Sequence, residues 1–126
     1  MESKDLIEVD MSNLPLTHTF SDNMYVRSGT MPKGSLVIGE KHKKKCMNIM
    51  SSGKMILWMD GVVQELVAPC IFESQAGSRK VGYMIENVVF SNIHITDKTN
   101  LDELREELVY NKPIEGLDKI KELICG

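Results

Sequence analysis

The sequence predicts an all-β fold, a sandwich or closed barrel of short strands, finished by two short C-terminal α-helices. Three observations carry this. Apolar runs of strand length recur from residue 32 to 95, each bounded by turn residues. Asp60-Gly61 stands between two such runs, and a two-residue type I′ turn needs positive φ at both positions, which Asp and Gly tolerate. Beyond residue 97 the apolar spacing changes from a strand period to a helix period.

Taken in order, residues 1–13 are polar with scattered apolar positions, a loose arm or an edge strand. Leu14–Phe20 and Met24–Met31 read as strands about the turn Ser21-Asp22-Asn23. The runs that follow are Ser35–Ile38, Cys46–Met50, Met55–Met59, Val62–Val67, Cys70–Phe72, Val81–Ile85 and Val88–Ile95. Seven or more strands at this spacing make a sandwich or barrel. Asn100 is placed to cap a helix, with Glu103 three residues on as in a capping box. Leu101, Leu104 and Leu108 then share one face, and Asn111-Lys112-Pro113 ends the helix. Leu117, Ile120, Leu123 and Ile124 mark a second amphipathic helix. Residues 1–96 thus read as the β-barrel. Residues 97–126 read as a helical tail, packed on that barrel or on a partner subunit, within one domain overall.

Composition narrows the function. A chain of 126 residues suits one domain, and 42% hydrophobic with 26% charged residues is a globular rather than a disordered composition. Residues 1–96 carry ten acidic and ten basic side chains, so the whole net charge of −3 comes from the tail. A duplex-DNA binder would show a basic excess, so nucleic acid is not an expected partner. Cys46, Cys70 and Cys125 form no C-x-x-C pair, which argues against a zinc ribbon and for reduced thiols. The charged N-terminus has no signal-peptide core, and no apolar run is long enough to span a membrane. A cytoplasmic protein is expected.

The stretch from Gly34 to Met84 carries a motif-level resemblance. Gly34, Glu40, His42, Cys46 and Gly53 stand in the register of a first motif, G, five residues, H-x-H, three residues, E, six residues, G. Pro69, Gln75-Ala76-Gly77, Lys80 and Met84 stand in that of a second, G, five residues, P-x-G, two residues, H, three residues, N. This resembles the double motif of the cupin (RmlC-like jelly-roll) superfamily over about half the chain. Gly34, His42, Gly53 and Gly77 match the consensus letters. The resemblance implies a jelly-roll β-barrel with the four ligand positions pointing inward. More narrowly, the chain resembles small single-domain cupin-like proteins of tailed bacteriophages, which would place it in the host cytoplasm.

The four ligand positions here are Glu40, His42, Cys46 and Lys80. An ammonium has three donors and no lone pair, so Lys80 repels a divalent ion, and no metal or other cofactor is expected. Glu40, His42 and Cys46 alone are still a donor set for zinc, with Lys80 outside the shell. Lys80 inside a barrel needs a partner. That partner is either Glu40 in a salt bridge or a bound anion received with Arg79 and His42. If Lys41–Lys45 is extended, His42 and Lys44 share one face. Candidate ligand-binding residues are therefore Glu40, His42, Lys44, Arg79, Lys80 and Tyr83, with none assigned to catalysis. Trp58 and Phe72 read as core or interface rather than as stacking platforms for a base, and His18 and His94 as structural. The expected function is metal-independent binding that sequesters a small anionic, nucleotide-like ligand, a sponge for a nucleotide signal in antiviral defence, by a chain that forms a dimer or higher homo-oligomer. Two alternatives stand beside it. One is a sugar-nucleotide epimerase or isomerase using His42 with Tyr25 or Tyr83. The other is a non-catalytic structural or assembly protein.

Overall fold

The computed structural model describes residues 6–125. Most of the chain lies in two five-stranded sheets. The first holds β1 (Ile7–Asp10), β4 (Ser35–Ile38), β10 (Lys80–Met84), β7 (Lys54–Met59) and β8 (Val62–Val67), in the order β1-β4-β10-β7-β8. The second holds β2 (Leu16–Ser21), β3 (Met24–Met31), β11 (Val88–Ile95), β6 (Cys46–Ser52) and β9 (Cys70–Ser74), in the order β2-β3-β11-β6-β9. All pairings are antiparallel except β1 with β4. The expected closed barrel is corrected here: each sheet ends in free edge strands. What the alternating pattern forces is burial of one face per sheet, and two facing sheets meet that demand without closure.

The core lies between the sheets. Met31, Val37, Met50, Met55, Leu57, Met84, Val88 and Phe90 fill it, contributed alternately along strands of both. At the β7–β8 hairpin Asp60 has φ 51° and Gly61 φ 91°, the expected positive-φ pair. Gly53 turns β6 into β7 at φ 95°, and any Cβ there would lie 2.2 Å from the Asn87 carbonyl oxygen.

The helices settle on their own chain. α1 (Leu101–Leu108) is capped by Asn100, whose side chain accepts from Asp102 N and Glu103 N. Leu104 and Leu108 are buried beside Tyr25 and Val109, so α1 covers one end of the sandwich. A short ladder follows, β12 (Val109–Tyr110) against β5 (Lys41–His42). α2 (Leu117–Cys125) lays Ile120 and Ile124 on Leu36 and Val81, the outer face of the first sheet. Trp58 and Tyr83 pack in that outer layer. Among the described residues no helix is long and apolar enough to cross a membrane.

Candidate functional site

The end of the sandwich beneath α1 is polar. Strand alternation decides which side chains enter it. β3 turns Tyr25 and Arg27 inward, β11 Asn92 and His94, β6 Cys46 and Asn48, β9 Ser74, and β10 Lys80. β5 adds His42, whose backbone is clamped by Ser78 O at 3.0 Å and Gly77 N at 2.8 Å.

Two sub-clusters form. In the first, Lys80 Nζ donates to Ser74 Oγ at 2.9 Å, and Asn48 Nδ2 donates to the same oxygen at 2.8 Å. Asn92 Nδ2 donates to Asn48 Oδ1 at 2.6 Å. Ser74 is the one protein partner Lys80 has among the described residues, so a buried cation rests on a neutral hydroxyl. In the second, Arg27 Nη1 donates to Glu40 Oε1 at 3.0 Å, and Arg105 Nη2 of α1 lies 2.7 Å from Glu40 Oε2. The Arg105 contact is an ion pair, which engages the second carboxylate oxygen. Of the two partners considered for Lys80, Glu40 is not one: it turns to two arginines, one of them on a helix the motif does not include.

Three other candidates also lie elsewhere than inside the sandwich. Tyr83 alternates to the outer face of β10, under α2. Lys44 follows the two-residue strand β5, outside any ladder, and pairs at the surface with Glu107 at 3.4 Å. Arg79 sits at the rim, donating from Nε to Gly39 O at 2.9 Å and from Nη1 to Lys112 O at 3.0 Å, which ties the tail down. Glu40, His42 and Lys80 do come together. Arg27, Asn48, Ser74, Asn92 and His94 join them unforeseen. For Arg27, Asn92 and His94 the signal was a polar residue at an inward position of a strand whose other inward residues are largely apolar.

The electrostatics of the cluster are cationic. Burial, then Lys80 and His94, push the His42 imidazole down to about 2. Burial, then Arg27 and Lys80, push His94 down to about 4. Burial also lowers Lys80 to about 8, leaving it mostly charged at neutral pH. All three values lie below those of the unfolded chain, so each group makes the fold bind fewer protons, and stability rises with pH across each window. Acid unfolding is expected to begin as pH falls below 6.5 toward 4, where His94 and then His42 must take up protons. A further gain is expected as pH rises from about 8 to 10.5 and Lys80 loses its charge. Melts across pH check both windows, and a curve flat through them would contradict the assignment.

The four ligand positions expected from the motif resemblance do not assemble. Glu40 is held by arginines and Lys80 is a cation, so two of the four are lost. His42, Cys46 and His94 do place their ligand atoms within 4.8 Å of one another. Lys80 and Arg27 act directly on that trio, and their charges oppose a divalent ion. Elemental analysis of purified protein is expected to show no stoichiometric zinc, iron or manganese; about one ion per chain would contradict this.

Three cavities surround the Arg27–Glu40–Arg105 group. The innermost, about 40 Å³, runs from Arg27, His42 and Lys80 into the methionines Met31, Met55 and Met84. A second, about 180 Å³, lies under α1 against His18, Tyr25 and His94. The third, about 460 Å³, opens outward past Arg79, Arg105, Tyr110 and Lys112.

With this geometry in hand, the double sheet can be set against solved structures. A cupin superfamily protein from Desulfitobacterium hafniense superposes with a TM-score of 0.58 at 15% identity, over 72% of this chain and 84% of that one. A conserved protein with a double-stranded β-helix domain from Klebsiella pneumoniae gives 0.58 at 11% identity, over 79% and 91%. An RmlC-like cupin from Methanocaldococcus jannaschii gives 0.54 at 11%, over 68% and 84%. The chain has the cupin double-stranded β-helix fold. No family model matches the sequence, and no curated protein is similar to it in sequence. The likeness is one of fold, and it does not extend to the narrower phage resemblance.

Proposed function

We propose that the chain is a metal-independent binding protein for a small organic anion. The charged head lies at Arg27 and Lys80 beside the neutral imidazoles, and the apolar part points toward Met31, Met55 and Met84. One observation carries this reading. Among the described residues two buried side-chain nitrogens lack a partner, Arg27 Nε and His94 Nδ1, and both belong to this one cluster; Glu40 Oε2 accepts no hydrogen bond but is ion-paired with Arg105 at 2.7 Å. Folded proteins pair their buried polar groups, so grouped exceptions beside a cavity mark where a ligand completes the network. The field there favours an anion, and the methionines supply an adaptable apolar wall.

The finer form of the reading is a nucleotide-like anion sequestered as a defence signal, as the phage resemblance implies. The inner cavity of about 40 Å³ takes only a compact head group, so the bulk of a nucleotide lies outside it. An epimerase pairing is less well supported. His42 at about 2 is too weak a base near neutral pH. Of its proposed acids, Tyr83 is on the far side of the sheet and the Tyr25 hydroxyl is engaged by His18 Nδ1 at 2.6 Å. An assembly role gives no reason for buried cations. Self-association belongs to the reading, through the outer face of the second sheet, where Met24, Met47, Ile71 and Ile95 stay exposed with no helix over them. Light scattering is expected to give more than a monomer mass.

The test is a thermal-shift screen of small carboxylates on the parent and on Gly82→Ala. Gly82 faces the inner cavity, where a Cβ would meet Met84 Cε at 2.9 Å and Met55 Sδ at 3.3 Å. A ligand that stabilises the parent and not the variant supports the site. Equal shifts in both would place binding elsewhere.

A further inference from the structure

The outer cavity has a cationic rim that the inner site does not use. The β5–β12 ladder sets Lys41 directly opposite Tyr110. Three ammonium groups converge on that ring: Lys112 Nζ at 5.1 Å from its centroid, Lys43 Nζ at 5.3 Å and Lys41 Nζ at 5.6 Å. Lys43 Nζ donates to Glu106 O at 2.6 Å, so it also serves the carbonyl end of α1. Among the described residues no carboxylate pairs with any of the three.

Arg79 stands beside them, its guanidinium fixed by the carbonyls of Gly39 and Lys112. Arg79, Tyr110 and Lys112 line the cavity of about 460 Å³ together with Arg105. Its acids are Asp10 and Glu40, and Glu40 is already held by Arg27 and Arg105. Asp10 and Glu40 partly offset Arg79, but the three lysine ammonium groups gathered at the ring repel one another with no carboxylate among the described residues paired to them. A multivalent anion would offset them. One phosphate chain can span several such cations at once.

We propose that this rim is a second site, independent of the interior one, for a ligand bearing two or more linked phosphates. Arg79 supplies the oriented fork, Lys41 and Lys112 the point charges, and the Tyr110 ring gathers the lysines.

The probe is inorganic tripolyphosphate, titrated calorimetrically at low salt, with a nucleoside triphosphate as a second arm. Both are expected to bind in the micromolar range and to weaken steeply with added salt. The paired substitution Lys41→Gln and Lys112→Gln alters exposed or half-buried side chains, so folding should hold, which a melt checks. It is expected to weaken tripolyphosphate about tenfold to a hundredfold, as loss of charge-assisted contacts does. Lys80→Ala, whose side chain lies inside the sandwich, should leave that binding unchanged. Undiminished binding in the folded double variant, or no heat from the parent at millimolar probe, would overturn the proposal. Loss of tripolyphosphate binding in Lys80→Ala alone would overturn the independence of the two sites.

Discussion

Lys80→Met is expected to stabilise the protein at neutral pH while abolishing binding of the interior anion. The parent buries an ammonium that is 8% exposed against one hydroxyl. Replacing a buried ionic group with a side chain of similar volume is often neutral or stabilising, here by about 1–3 kcal/mol. That is several degrees of melting temperature for a domain of this size. Ser74 keeps its bond from Asn48, so no polar atom is orphaned by the change. The advantage should shrink above a pH of about 8, because the parent then sheds the charge the variant never had. A variant that is less stable at neutral pH would mean that Lys80 holds the fold together rather than standing ready for a ligand. Keeping a costly cation in a core is what a binding site requires and a scaffold does not.

Glu40→Ala is expected to act in the opposite direction and to be the more damaging change. Glu40 is the acid shared by Arg27 and Arg105, and the Arg27 side chain is 10% exposed. Removing one partner of a buried pair leaves an uncompensated charge and costs about 3–5 kcal/mol. Arg105 is about half exposed and returns to water at little expense, so the loss falls on Arg27. Arg27→Met combined with Glu40→Met should recover most of the stability, and denaturant melts of the single and double variants measure the coupling. If Glu40→Ala costs no more than a surface change, the ion group does not organise this end of the sandwich.

The contrast between these two residues shows what the sequence could and could not carry. Strands β3, β4, β8 and β11 were legible because alternation and turn residues are local properties. The hairpin at Asp60-Gly61 and the cap at Asn100 were legible for the same reason. β5 and β12 were not, since two-residue ladders have no period to read. Closure was misjudged because strand count does not decide whether edges meet. At the polar end, register places Glu40, His42 and Lys80 together as the motif spacing implied, but the partner of each was not legible. Arg27 lies thirteen positions before Glu40, and Arg105 lies on a helix whose apolar leucines drew attention away from its polar side. His94 was read as a structural histidine, and its place beside His42, with ring centroids 5.7 Å apart, is set by the β11 register alone. Lys44 and Tyr83 lie away from the polar end for opposite reasons. One sits past the end of a strand, and the other is on the wrong side of a strand correctly identified.

The central claim is that the cationic interior end receives a small anion. Calorimetric titration of short-chain carboxylates into the parent and Lys80→Met, at a pH below and a pH above about 8, tests it most directly. The account predicts saturable binding to the parent below that pH, weakened about tenfold or more above it as the ammonium is lost, and none to Lys80→Met at either pH. Binding that is equal in parent and variant, or that is indifferent to pH across this range, would contradict it.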